Sequence, residues 1–166
     1  MGVNSYPWLP REAVLFMAHF LKQKPCTVLE FGCGGSTVWL HSRVKRLVSV
    51  EHNEGYVNLV KTKCTGNLEI ILEPTPYDHV CDRFDDETFD FILVDGRNRV
   101  KCFEKSLRLL KKGGVIMLDN SEREYYSKVF DFVNNWEQRH ATGPDLNNTF
   151  DYEVWKCTWW KKEVND

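Results

Sequence analysis

The sequence predicts an α/β protein: a mostly parallel sheet, helices on both of its faces, and an antiparallel hairpin at the C-terminal end. Three observations carry that prediction. Short apolar runs alternate with stretches of helical period along most of the chain. The runs at 28–31, 47–50, 89–94 and 115–118 are almost continuously apolar, as strands buried on both faces require. Past residue 136 the alternation stops. Gly143-Pro144 and Asn147-Asn148 are turn signals, and Tyr152–Lys161 reads as a strand with no crossover helix before it.

Each element has a local reason. Met1–Pro10 is an extended aromatic segment carrying Tyr6 and Trp8. Arg11–Lys22 reads as an amphipathic helix with Val14, Leu15, Ala18 and Leu21 as its stripe, ended by Pro25. A strand over Val28–Phe31 runs into Gly32, Gly34 and Gly35, and a helix follows over 37–43. Leu47–Val50 is a second strand ending at Glu51, and a helix spans Glu54–Lys63. Gly66-Asn67 turns into a third strand, Leu68–Leu72. Two prolines make Glu73–Pro76 a loop, and Tyr77–Phe84 is a short helix. Phe89–Val94 is a fourth strand ending in Asp95-Gly96. Val100–Leu110 reads as a helix burying Cys102, Phe103, Leu107 and Leu110, stopped by Gly113-Gly114. Val115–Leu118 is a fifth strand ending in Asp119-Asn120, and Ser121 caps a helix over Glu122–Asn135.

With 166 residues, 42% hydrophobic and 28% charged, the chain reads as one soluble domain over 1–166. Its parts are an N-terminal segment and helix (1–26), a cofactor-binding core (27–135) and a hairpin region (136–166). The net charge of −2 gives no basic field for nucleic acid, and Lys45-Arg46 and Lys111-Lys112 read as helix-end charges. No apolar run spans a membrane and no export signal opens the chain. The six cysteines include no Cys-x-x-Cys pair, so free thiols in the reducing cytoplasm are expected. Cys33, inside the glycine loop, is expected to be open to alkylation. His19, on an apolar helix face, reads as structural.

The chemistry concentrates at Val28–Ser36. Glycines let the backbone turn and approach a ligand. Ser36 or Thr37 can cap the next helix, whose free N–H groups attract a negative group. Glu51, nineteen residues after Gly32, is placed to hold ribose hydroxyls. A dinucleotide fingerprint needs a later third glycine than Gly35, and its pyrophosphate would be repelled by Glu30. An ammonium group would not be. Glu30-Phe31-Gly32-Cys33-Gly34-Gly35 and Glu51-His52 resemble the first two motifs of class I S-adenosylmethionine-dependent methyltransferases. The resemblance covers about residues 27–161. It implies the Rossmann-like methyltransferase fold, with a seven-stranded sheet and an antiparallel C-terminal hairpin. It implies S-adenosylmethionine as cofactor, bound by Glu30, Phe31, Gly32, Cys33, Gly34, Gly35, Ser36, Thr37, Glu51, His52, Tyr77 and Asp95.

A finer resemblance, to magnesium-dependent small-molecule O-methyltransferases, lies in Phe91–Asp95 and Met117–Asn120. It implies Asp95 and Asp119 as catalytic residues, and a magnesium ion on Asp95, Asp119 and Asn120. The lysine base of those enzymes is missing, because Asn98 stands at its position. Arg97, Arg99 and Arg123 either cluster around an anionic substrate or pair with Glu104, Glu122 or Glu124. Tyr6 and Trp8 either fold over the cofactor or pack on the sheet. The expected activity is methyl transfer to a small-molecule hydroxyl, with no nucleic acid or membrane partner, and a homo-oligomer as one way of completing an open site. Two alternatives stand: a non-catalytic cofactor-binding or interaction subunit, and a nicotinamide-dependent reductase.

Overall fold

Strands buried on both faces hold the molecule together. The computed structural model describes residues 4–148 and 155–164. Seven strands form one sheet: β1 (Thr27–Phe31), β2 (Arg46–Glu51), β3 (Leu68–Leu72), β4 (Phe89–Val94), β5 (Leu110–Asp119), β6 (Glu137–Thr142) and β7 (Lys156–Lys161). Their order is β3-β2-β1-β4-β5-β7-β6. The first five are parallel, and β7 lies antiparallel between β5 and β6. Among the described residues five α-helices accompany them: α1 (Arg11–Lys22), α2 (Gly35–His41), α3 (Glu54–Lys61), α4 (Arg99–Ser106) and α5 (Val129–Phe132).

The period of two along each strand sorts the core into two layers. Val28, Leu47, Phe91, Leu93, Val115 and Met117 pack under Ala13, Val14, Met17 and Leu21 of α1 and Trp39 and Leu40 of α2. Leu29, Phe31, Ile92, Val94, Ile116 and Leu118 face the other way, against Cys102 and Phe103 of α4 and Val129 of α5. Each fully buried side chain of this size contributes about 1.5–3 kcal/mol. The predicted α/β class, the hairpin and most element positions are therefore found.

The differences have tertiary causes. The buried face of α1 is rotated from the predicted stripe: Leu15 is exposed, as is His19, which therefore has no role in the core. The predicted helix over Val100–Leu110 ends at Ser106, and a 3-10 turn (Leu107–Leu109) leads into β5 at Leu110. Gly113-Gly114 do not stop a helix. They sit within β5, where Phe89 pairs with Leu110 but Phe91 with Val115. The extra residues are absorbed as a bulge, with Gly113 at φ +73°. Lys111 is a strand residue whose ammonium, with that of Lys24, meets the buried Asp90 at 3.1 and 2.8 Å. Arg46 opens β2 and pairs with Glu69. Neither is a helix-end charge.

The predicted helix over Glu122–Asn135 is also absent. A 3-10 turn (Glu124–Tyr126) and the four-residue α5 replace it. The Ser121 hydroxyl meets Thr158 Oγ1 at 2.7 Å, and Glu122 accepts from the Lys156 N–H at 2.9 Å. Both side chains tie β5 to β7, so neither is left to start a helix. Tyr77–Phe84 is a 3-10 turn over Asp78–Arg83. The first part of the predicted Tyr152–Lys161 strand, 152–154, lies outside the described residues. All six cysteines are buried and free. No helix among the described residues is long and apolar enough to cross a membrane.

Leu93 is fully buried in β4. Leu93→Ala is expected to lower unfolding stability by about 2–5 kcal/mol. Urea denaturation, comparing midpoints at constant slope, checks it.

Candidate active site

The strand order reverses between β1 and β4, and the site builds up at the carboxyl ends of those strands. Gly32 has φ +100°, and a Cβ there would lie 2.9 Å from the Asp95 carbonyl and from Gly96. A Cβ on Gly96 would run into the Tyr77 hydroxyl. Only glycine allows the two loops to meet in this way. Tyr77 is fully buried beneath them, stacks on Phe31 at 6.2 Å between centroids, and accepts a hydrogen bond from the Arg97 N–H. Phe31 and Tyr77 thus act from inside the protein rather than by meeting a ligand directly.

Glu30 is also interior. It has no exposed surface, and its carboxylate accepts from the hydroxyls of Ser36, Thr37 (2.7 Å) and Ser49 (2.8 Å). This corrects the expectation that Glu30 meets the cofactor's ammonium group. The hydroxyls of Ser36 and Thr37 donate to Glu30 rather than to a ligand, while Thr37 Oγ1 caps the start of α2 as expected, accepting from the Gly34 N–H at 2.8 Å. The glycine turn and α2 are therefore fastened to β1 and β2 from below. Burial pushes the Glu30 carboxyl up to about 7, even though its three hydroxyl partners favour ionisation. Ser49 was not singled out from sequence, although a serine inside Leu47–Val50 is the signal of a buried polar partner.

Glu51 ends β2 with its carboxylate at the loop. It accepts from the N–H groups of Cys33 (2.8 Å), His52 (2.9 Å) and Asn53 (2.8 Å), and His52 Nδ1 lies 2.8 Å away. Oε2 has one amide partner and keeps a lone pair for a hydroxyl donor. His52 is exposed beside it, with its ring 6.3 Å from that of Tyr77. At Gly34 a Cβ would meet nothing within 4 Å, so the loop there presents bare backbone. Gly35 is different: the Asn4 carbonyl lies 2.9 Å from its Cβ position and the Tyr6 carbonyl is closer. The N-terminal segment thus folds onto the start of α2. Cys33 is buried, and burial pushes its thiol up to about 12, so it is not the alkylation-prone group the sequence suggested. The donors and acceptors fit S-adenosylmethionine. The first-turn amides of α2 suit its carboxylate, and Glu51 suits its ribose.

The ends of β4 and β5 carry Asp95 and Asp119. The buried Arg99, from the first turn of α4, lies between them. Its Nη2 is 3.1 Å from Asp95 Oδ1, and its Nη1 is 3.9 Å from Asp119 Oδ2. Asp119 also accepts from Trp155 Nε1 at 2.9 Å. Burial raises both carboxyls, the charge of Asp95 raises Asp119 further, and Arg99 opposes the rise in each. This arrangement does not fit the magnesium expected on Asp95, Asp119 and Asn120, because a guanidinium already stands between the two acids. Among the described residues no group of three or more His, Cys, Asp and Glu side chains is set to hold a metal ion.

The three arginines do not form one anion cluster. Arg99 is buried among acceptors, Arg97 is exposed, and Arg123 is exposed beside Glu122 (3.8 Å) and the Tyr125 hydroxyl (3.1 Å). Asn98 donates to Asp78 at 2.7 Å. Trp155 and Tyr126, whose ring lies 5.4 Å from the Arg99 guanidinium, were not predicted as site residues. Nothing in their local sequence distinguishes them from core aromatics.

A switch point between β1 and β4, a glycine turn and an acid ending the second strand are the features of a nucleoside-binding α/β fold. The chain belongs to the family described as Methyltransferase domain, whose pattern it matches over residues 29–121. It is an S-adenosylmethionine-dependent methyltransferase of class I. No curated protein matches the sequence. Solved structures share the fold at low identity. One is titled an S-adenosylmethionine-dependent methyltransferase from Methanosarcina mazei, with TM-score 0.58 and 16% identity over 90% of this chain and 97% of that one. An rRNA methylase from Streptococcus thermophilus gives 0.66 and 14%, over 90% and 96%. A candidate caffeoyl-CoA O-methyltransferase from Staphylococcus aureus gives 0.63 and 15%, over 94% and 86%. The family match displaces both alternatives raised from sequence, the nicotinamide reductase and the non-catalytic subunit.

Glu30 makes a pH prediction. Its folded value of about 7 lies above its ordinary 4.5, so its contribution to stability is complete below 4.5 and lost as pH rises through 7. The loss is on the order of 3 kcal/mol. Glu30→Gln removes this titration. The melting temperature of the variant relative to wild type should rise between about pH 5 and about pH 8. A pH-independent difference in thermal unfolding would contradict it.

Proposed function

We propose that this methyltransferase acts on a hydroxyl group of a small molecule in the cytoplasm. The pair of carboxylates at the ends of adjacent strands, Asp95 and Asp119, carries the reading. A hydroxyl attacking a methyl group must lose its proton, and a positioned carboxylate can take it. Asp95 is the better acceptor. Its side chain is 25% exposed, whereas that of Asp119 is 5% exposed and bonded to Trp155. When bound, S-adenosylmethionine would supply a methyl group activated by its sulfonium sulfur, which leaves as a neutral thioether. The chain's own part is alignment: the loop Cys33–Gly35 and the start of α2 hold the carboxylate end, and Glu51 holds the ribose. His52 borders the adenosine.

Arg97, exposed two residues past Asp95, is the residue to grip an anionic group on the substrate. The net charge of −2 supports a small molecule over a polynucleotide. Six free thiols support the cytoplasm. A second copy of the chain would close the open side of the site, and light scattering measures that.

Calorimetric titration with S-adenosylmethionine and S-adenosylhomocysteine should give micromolar binding. Glu51→Gln, which keeps the shape and removes the charge, should weaken both about 10–100-fold, the loss of a hydrogen bond to a charged group. Folded protein that binds neither compound would sink the cofactor assignment. Product formation from RNA but from no hydroxylated small molecule would sink the substrate assignment.

A further inference from the structure

The inside of the acidic pair holds more than a neutralising contact. Arg99 side-chain exposure is 9%, and its donors are spent on the ends of two strands. Nε donates to the Gly96 carbonyl at 2.9 Å, Nη1 to the Asp119 carbonyl at 2.6 Å, and Nη2 to the Asp95 carbonyl at 3.1 Å. Nη2 also meets the Asp95 carboxylate at 3.1 Å. In one orientation the Asn120 amide oxygen accepts from Nη1 at 3.3 Å. In the other, Asn120 donates to Asp119 Oδ2 at 3.2 Å and accepts from Trp155. The Tyr126 ring lies against the guanidinium. All three residues that would ligate a metal are therefore arranged around one arginine.

We propose that the Arg99 guanidinium is the resident cation of this site, standing between Asp95 and Asp119 in place of a divalent metal. Three points carry it. A planar fork of five donors matches main-chain carbonyls and carboxylates spread over two loops, which a small octahedral ion does not. The charge is fixed, because guanidinium does not deprotonate. The contacts bind the β4 loop to the β5 loop, so Arg99 positions Asp95 rather than touching substrate. Two consequences follow for the methyl-transfer reading, on which they rest. Methylation needs no added metal, and the substrate is not required to bring two adjacent oxygens for chelation. Specificity then falls to the shape and charge of the surroundings of Asp95, where the exposed Arg97 stands.

The test uses manganese(II) as the probe, read by its electron paramagnetic resonance signal and by thermal unfolding, with no cofactor or substrate present. Wild type should leave the free-ion signal unchanged and show no shift in melting temperature with manganese or magnesium. Arg99→Lys keeps a cation and should be equally silent. Arg99→Ala frees Asp95 and Asp119, and should quench the free-ion signal at one ion per chain and gain melting temperature with manganese. Adding Asp119→Asn to that variant should abolish the gain. A merely structural arginine would leave no new metal site. Stoichiometric manganese binding by wild type, lost in Asp119→Asn, overturns the proposal, and so does a folded Arg99→Ala protein that binds none. If Arg99→Ala does not fold, wild type and Arg99→Lys decide it: silence in both supports a filled cation position, and binding in either overturns it. Because these readouts involve no methyl donor, their failure is separate from a failure to bind S-adenosylmethionine.

Discussion

At the switch point the backbone of Gly32 lies against that of Gly96, and no side chain fits between them. Much of the site depends on that approach. It brings the loop after β1 within reach of the loop after β4, with Tyr77 filling the space beneath. The parallel register then carries Glu51 to one side and Asp95 and Asp119 to the other. The sheet sets directions, and the glycine contact sets how close the loops can come.

Each strand-end acid is stabilised by a different kind of donor, and this determines what it can do. Three hydroxyls enclose Glu30, leaving it a buried support with its carboxyl near neutrality. Main-chain amides hold the buried Glu51, which keeps one acceptor position open. A guanidinium holds Asp95 and Asp119. Buried carboxylates without partners would be costly, so the partner found for each acid separates support, binding and chemistry.

Much of this was legible in the sequence because it is local. Glycine spacing and the acids that follow apolar runs need only chain neighbours, and Glu30, Glu51, Asp95 and Asp119 do all lie at strand ends. Helix limits were less legible. Leu107–Leu110 has helical composition, but Leu110 pairs with Phe89 in the sheet. Ser121 and Glu122 look like a helix start, but β7 recruits both. Sheet pairing between distant segments outweighed modest helix propensity in each case.

The sequence by itself determined the α/β class, the cofactor loop and which residues gather at the carboxyl edge of the sheet. Periodicity and glycine placement are properties of a few consecutive residues. Only the tertiary structure decided what each charge meets. Arg99 reads as one arginine among three, and becomes a bridging cation because α4 begins where the ends of β4 and β5 converge. Trp155 reaches Asp119 from 36 residues away because β7, which follows it, pairs antiparallel with β5. Electrostatic role depends on distance in space and on burial, and a linear pattern specifies neither.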